Sequence, residues 1–391
     1  MNALSAFDSL YPPSGRTPSG KAKFGLLGAY PPTQGGLANY SASLSDALRA
    51  RGSEVDVIRV ADSAPSTGAG VVGELVNGSA GSAADCVEML NQNDVVVVQH
   101  EHGLYGGAHG DDVLEIVEGL RVPTVTIAHS VLKNPAPHQR WVIERLAATT
   151  GQMVVMSEVA RERLCSEYGV DRHKVVKIPH GAVLPKGPRA KRGSRPIILT
   201  FGMMGPGKGV ERVIDAMASL QSVAGRPRYL VVGRTRPEVL ARDGEAYREA
   251  LIEQARRNGV ADSVSFDDRY HDRASLAALL QSAAVIVLPY DSTDQVTSAA
   301  LVDAVASGRP VVATAFPHAV EMLRDGAGIL VPHDDPDAMA SALRTVLTQP
   351  RLAGTMAAEA RQLAPAMAWP VVADSYLQLA GRLLAARRAR V

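Results

Sequence analysis

Short β-branched runs recur along this chain, each followed by a stretch with helical spacing, and the series occurs twice. The first series lies at 24–28, 55–60, 94–99, 123–128, 153–156 and 175–178; the second lies at 197–201, 228–233, 264–266, 285–289, 310–314 and 328–331. Runs of this kind, bounded by Gly, Pro and Asp, read as buried parallel strands. The stretches between them predict amphipathic helices, for example over 38–51, where Tyr40, Leu44 and Leu48 share a face, and over 209–220 and 301–307. Repeated β–α units predict doubly wound parallel sheets, and two series predict two of them. The expected fold class is therefore α/β, with two Rossmann-like domains facing each other across a cleft.

A seam separates the series. The segment GAVLPKGPRAKRGSRP at 181–196 holds three prolines, five basic residues and no acidic one, which reads as a solvated linker. This places a first domain at 1–185, a linker at 186–196, a second domain at 197–368 and a terminal helix at 369–391. The Gly-, Ala- and Ser-rich stretch 61–82 reads as a loop. At 391 residues the chain is long enough for two cores. Its 41 basic and 40 acidic residues leave no global field for nucleic acid or an anionic membrane. No run reaches 18 apolar residues, and the first twenty residues lack an apolar h-region, so neither a span nor a signal peptide is expected. Cys86 and Cys165 read as buried thiols in a reducing, cytoplasmic setting. Aromatics are only 4%, which argues against a carbohydrate-binding module built on stacked rings.

Ligands of open α/β sheets sit beyond the carboxyl ends of the strands. After the first strand, Gln34-Gly35-Gly36 opens a helix, which suits either close approach to a ligand or a plain β–α turn. It is not GxGxxG, and no acidic residue follows the second strand in the usual dinucleotide place, so a nicotinamide cofactor is not expected. After the third strand comes Gln99-His100-Glu101-His102, followed by Tyr105-Gly106-Gly107. Two alternate histidines without a clear third ligand do not make a metal site, and binding of substrate hydroxyls is the preferred reading. His129 follows the fourth strand, with Lys133 and Arg140 beyond it as ordinary surface charges. In the second half, Gly202-Met203-Met204-Gly205-Pro206-Gly207-Lys208-Gly209 runs from a strand into a helix as a plausible phosphate cradle. Gly209 stands where a Walker loop needs Ser or Thr. The segment Tyr290 to Ser298 then leads into another helix. Thr297 and Ser298 lie at its start, suited to phosphate or to plain capping. Asp303 lies eight positions after Gln295, about two turns along. That spacing suits one group on the sugar and one on the ribose of a nucleotide-sugar. Glu321, after Pro317-His318, is another carboxylate following a strand.

These residues carry a family resemblance over nearly the whole chain. QGGLANY at 34–40, IAHS at 127–130, VVMSEVARERL at 154–164, VVKIPHGA at 175–182, ILTFG at 198–202, GPGKGVERVIDAM at 205–217, YLVVG at 229–233, VIVLPY at 285–290, SGRPVVAT at 307–314 and GILVP at 328–332 resemble a retaining glycosyltransferase of family 4, with the GT-B fold. A subgroup with a QHExGxxGG loop, here 99–107, and a GRTRPEV-type loop at 233–239 is closer still.

The resemblance implies a nucleotide-sugar co-substrate, GDP-mannose ahead of UDP-glucose, a glycan, lipid or small-molecule hydroxyl acceptor, and no permanent cofactor or metal. It implies that Gly35 and Gly36 approach the donor phosphates and that His129 binds the donor sugar. Lys208 would neutralise the leaving diphosphate, Thr297 and Ser298 would cap it, and Asp303 would bind ribose as the second carboxylate of an E-x7-E motif. Gln99, His100, Glu101, His102 and Tyr105 would meet the acceptor. The segment from Trp369 would return across the cleft to the first domain. Its tail, RLLAARRARV, reads as a solvated helix end, with peripheral contact at the inner membrane face as the alternative. Two positions depart from the pattern: Gln295 stands for the first Glu of E-x7-E, and Met203 for the arginine beside Gly202. Arg234 or Arg309 is the candidate replacement for that charge. A repurposed, non-catalytic binding protein is one rival reading, and an epimerase or phosphorylase is another.

Overall fold

The computed structural model describes residues 22–62, 68, 70–185, 195–333 and 335–389. The linker reading therefore falls almost wholly outside the described residues, as does the reading of the first twenty. The first half runs β1 (Phe24–Gly28), α1 (Gly36–Ala50), β2 (Val55–Val60), β3 (Val71–Leu75), α2 (Ala80–Leu90), β4 (Val95–His100), α3 (Asp112–Gly119), β5 (Thr124–Ala128), α4 (Pro137–Thr149), β6 (Gln152–Val155), α5 (Glu158–Glu167) and β7 (Val175–Lys177). The second half runs β8 (Ile197–Phe201), α6 (Val210–Leu220), β9 (Arg228–Val232), α7 (Pro237–Asp243), α8 (Ala246–Arg257), β10 (Val264–Asp267), α9 (Arg273–Ser282), β11 (Val285–Leu288), α10 (Ala299–Ala306), β12 (Val311–Thr314), α11 (Pro317–Leu323), β13 (Gly328–Val331), α12 (Pro336–Thr348), α13 (Pro350–Leu363) and α14 (Trp369–Arg388).

The strands form two parallel sheets, ordered β3-β2-β1-β4-β5-β6-β7 and β10-β9-β8-β11-β12-β13. Strand order reverses between β1 and β4 in the first sheet and between β8 and β11 in the second. Those reversals open crevices at the carboxyl ends. The loops after these four strands hold most of the residues singled out from the sequence.

Both faces of each sheet are covered, as continuous apolar strands require. In β4, Val96 and Val98 pack with α2 to α5, whereas Val95 and Val97 pack with α1 and α14. The terminal helix α14 thus completes the core of the first domain. Tyr376 on it meets Tyr40 on α1, their hydroxyls 2.9 Å apart, and Asp374 pairs with Arg51 at 2.7 Å.

The stretch 61–82 is not all loop. Residues 71–75 form the edge strand β3, and α2 begins at Ala80. This strand has little buried apolar surface and a register shift against β2, so alternation gives no signal. It is anchored by Arg59 of β2, fully buried, which pairs with Glu74 at 2.7 Å and with Asp62. Of the two cysteines, Cys86 is buried, and burial pushes its thiol up to about 11, whereas Cys165 is only half-buried.

Candidate active site

The polar end of β5 faces the cleft with His129, whose Nε2 donates to Gln99 Oε1 on the neighbouring strand β4. Burial, with lesser contributions from His180 and His100, pushes His129 down to about 3. The ring is therefore neutral at pH 7 and acts as a hydrogen-bonding group. The Tyr40 ring stands edge-on to His129 and packs against His180 and Trp369 at 4.9 and 5.2 Å between centroids. Three separate segments of the chain thereby fix one imidazole.

The QHE segment divides between two faces. The strand extends to His100, so successive side chains alternate. Gln99 shares the face of Val97 and reaches His129, with Nε2 buried and unpartnered among the described residues. His100 shares the opposite face, is fully buried, and stands edge-on to His102 at 5.2 Å. His100 is therefore not on the cleft surface, and burial pushes it down to about 3. The ring nitrogens of both histidines lack partners among the described residues. Glu101 accepts from the Ser130 hydroxyl at 2.7 Å and from the His102 N–H at 3.1 Å. Tyr105 is buried and donates to the Gln99 carbonyl at 2.7 Å, which makes it a support for Gln99. Gly107 has φ 77°, and a Cβ there would come within 2.0 Å of Asp111 Oδ1 and 2.5 Å of Asp112 Oδ1. The paired glycines of this motif thus leave room for two carboxylates.

Across the cleft, the glycine-rich loop follows β8. Gly209 caps α6 at φ 65°, and a Cβ there would come within 1.7 Å of the Pro289 carbonyl, so only glycine fits. Beside it, Lys208 Nζ lies 4.3 Å from the Tyr290 ring centroid, and Tyr290 stacks on Phe316. No acidic group among the described residues pairs with Lys208. Met203 is half-buried next to Gly202 and supplies no charge. Of the two arginines considered as replacements, Arg309 is buried and donates to the Gln281 carbonyl, away from this loop, which rules it out. Arg234 is exposed and crosses the cleft to Gln34 Oε1 at 2.6 Å, beside Gly35 and Gly36.

The loop before α10 is tightly organised. Gln295 Nε2 donates to the Thr297 carbonyl at 2.9 Å. Ser298 Oγ accepts from Leu301 N at 3.2 Å, as a helix cap does, and the Ser298 N–H goes to His318 Nδ1 at 2.9 Å. Ser298 is thus spent on capping, while the Thr297 hydroxyl is buried without a partner among the described residues. Asp303, two turns on, lines an interdomain cavity of about 110 Å3 with Tyr40, His180, Arg273 and Trp369. Burial alone raises its carboxyl to about 7. A larger cavity, about 420 Å3, lies beside Arg234, Thr235, Glu245, Asp268 and Tyr270. Tyr270 reaches Asn39 at 3.2 Å, and Arg273 reaches Ser43 and Asp46, each at 2.9 Å. The structure therefore adds Tyr40, His180, Tyr270, Arg273 and Trp369 to the cleft. Tyr40 and His180 stood inside quoted motifs, but nothing local marked them as partners.

Two facing Rossmann-like sheets, with polar loops at both switch points and a terminal helix crossing back, define the GT-B fold. The comparisons agree. Residues 34–184 match Glycosyltransferase Family 4, and residues 195–349 match Glycosyl transferases group 1. The two matches together take in more than half of the chain, which belongs to this glycosyltransferase family. It is 28% identical over 284 residues to D-inositol 3-phosphate glycosyltransferase of Segniliparus rotundus, covering 67% of this chain and 61% of that protein. The Rhodococcus opacus protein of the same name is 28% identical over 311 residues, with 72% and 68% covered. Phosphatidyl-myo-inositol mannosyltransferase of Mycobacterium leprae is 26% identical over 263 residues, with 66% and 63% covered. The matches thus span about two thirds or less of these relatives' length. Among solved structures, sucrose-phosphate synthase from Thermosynechococcus elongatus superposes with TM-score 0.72 at 19% identity, over 93% of this chain and 100% of that one. Anabaena HepE, solved with UDP and glucose, gives 0.72 at 16% identity over 92% and 99%. At these identities the structures speak for the fold. Among the described residues no helix is long and apolar enough to cross a membrane, and no group of three metal-ligating side chains is present.

Proposed function

We propose that the chain transfers a hexose from a nucleoside-diphosphate sugar to a hydroxyl of a carbohydrate or lipid-linked acceptor, with retention and without a metal. The observation that carries this reading is a glycine-rich loop that holds Lys208 without an acidic partner among the described residues, together with a neutral His129 held by Gln99 at the end of β5. In the reaction, the bond between the anomeric carbon and the diphosphate oxygen breaks. A bond to the acceptor oxygen forms on the same face, and the acceptor proton passes to the leaving diphosphate. Negative charge builds on that diphosphate, and Lys208, Arg234 and the amide groups of the glycine-rich loop answer it with fixed positive charge. Gln99 holds His129 in one tautomer, aimed at the sugar. The cleft excludes water through the contacts of Arg234, Tyr270 and Arg273 with the first domain.

The donor is GDP-mannose ahead of UDP-glucose on this reading, supported by the mannosyltransferase relative; the UDP complex of HepE supports the alternative base. Incubation with each sugar nucleotide and a panel of inositol, glycan and lipid-linked acceptors, with EDTA present, tests the whole reading. The expected product is one glycoside whose anomeric proton shows the donor's configuration. An inverted product, or transfer only with added metal, contradicts the mechanism. A second reading, a binding protein without transferase activity, is favoured by Met203 and Gln295. It predicts nucleotide binding with neither transfer nor donor hydrolysis.

A further inference from the structure

One carboxylate at the cleft, Glu321, has no part in the chemistry above. It lies on α11 of the second domain, yet it accepts the Glu158 N–H at 2.9 Å and the Val159 N–H at 3.0 Å. Those amides open α5 of the first domain, where a helix leaves its N–H groups unpaired and favours negative charge. Lys177 of β7 adds a cation at 3.4 Å, and these contacts hold the carboxyl below its ordinary range despite its burial.

One turn earlier on the same helix, His318 organises the loop before α10. Its backbone N–H donates to the Gln295 carbonyl at 3.2 Å, and its ring accepts from Ser298. Burial pushes His318 down to about 4, which keeps the ring neutral and able to accept. The loop is held from the first domain as well. Ser157, the residue that caps α5, donates to the Val296 carbonyl at 2.6 Å, and Val296 packs into the first domain's core. Arg163 on α5 pairs with Asp294 at 2.6 Å. The helix that receives Glu321 is therefore the helix that seats the loop carrying Gln295 and Thr297.

We propose that Glu321 is a positioning residue that couples closure of the two domains to the shape of the donor loop at 294–298. Opening the domains withdraws α5 from Glu321 and from Val296 together, so the loop keeps its form only in the closed state. The proposal rests on the reading of this loop as donor-binding, and it adds the means by which closure gates donor affinity.

The test uses the full chain with Glu321→Ala and Glu321→Gln. Affinity for GDP and UDP is measured by calorimetry, KM by initial rates, and domain opening by small-angle scattering. Glu321→Ala is expected to weaken binding of the preferred diphosphate roughly tenfold, as allosteric couplings of ordinary size do. Acceptor KM stays unchanged, and the free variant has a larger radius of gyration that the nucleotide reverses. Glu321→Gln keeps one acceptor oxygen and recovers part of the affinity. Should Glu321→Ala fail to fold, Ser157→Ala probes the same coupling from the other domain and is expected to weaken the diphosphate in the same way. A folded Glu321→Ala or Ser157→Ala with unchanged affinity and unchanged scattering overturns the proposal. A wild-type chain that binds neither diphosphate overturns the donor reading itself, and the coupling with it.

Discussion

The Tyr40 ring meets the His129 imidazole edge to face, with centroids 5.0 Å apart at 88°. Tyr40 is itself fixed by the hydroxyl of Tyr376 and by the Trp369 ring, so the terminal helix holds the ring that backs His129. Tyr40→Phe removes one buried hydrogen bond and is expected to cost about 1 kcal/mol. Turnover changes little, because the ring still backs His129. Tyr40→Ala removes the ring and is expected to cost about 3 kcal/mol or more and to lower turnover far more than Tyr40→Phe does. Denaturant melts and initial rates of both variants check this; equal turnover in the two would show that the ring does not position His129.

Lys208 carries the charge of the phosphate cradle. Lys208→Ala is expected to lower kcat by roughly tenfold to a thousandfold, as loss of one preorganised donor does. Its cost in stability is small, because the ammonium rests on Tyr290 without an ion pair among the described residues. Unchanged turnover in the folded variant removes Lys208 from the mechanism.

Asp303 makes stability depend on pH. Its folded value, raised by burial to about 7, stands above the ordinary value of 3.8. The folded chain then binds the proton more tightly than the unfolded chain, so this group's contribution is full below pH 3.8 and is lost as pH rises towards 7. Asp303→Asn is expected to match the wild type in acid and to be the more stable variant above neutrality. Unfolding free energies of both proteins across this range check the sign; a wild type that gains on the variant with rising pH contradicts it.

Gln295 donates to the Thr297 carbonyl, which a carboxylate cannot do. Gln295→Glu restores the family's carboxylate in the sequence but sets two acceptors against each other. It is expected to lower stability by about 1 kcal/mol and to leave turnover no higher. A rise in kcat at full stability would show that the loop accepts the acid.

Much of the fold is legible in the sequence because buried parallel strands are nearly continuous apolar runs; the edge strand at 71–75 is not, since only Leu75 of its five residues is buried and Gly73 interrupts it. Positions are legible where a polar residue comes in the loop after a strand, as with His129 after β5 and Lys208 after β8, whereas Asp303 lies inside α10. Legibility fails where alternation decides: Gln99 and His100 are adjacent and both fully buried, yet only Gln99 bonds to His129. It also fails where partners lie far apart in the chain. Tyr40 and Tyr376, or Glu321 and the amides of Glu158 and Val159, meet only after both sheets have formed. Ser298 reads equally as cap or phosphate ligand, and only the position of His318 shows that its amide is taken.

The most direct measurement is thermal unfolding of the wild type with GDP, UDP and ADP, each without metal. A ligand present at a hundred times its dissociation constant adds about 2.7 kcal/mol. The account predicts that stabilisation with one diphosphate, and its loss in Lys208→Ala. No stabilisation by any of the three at saturating concentration contradicts it.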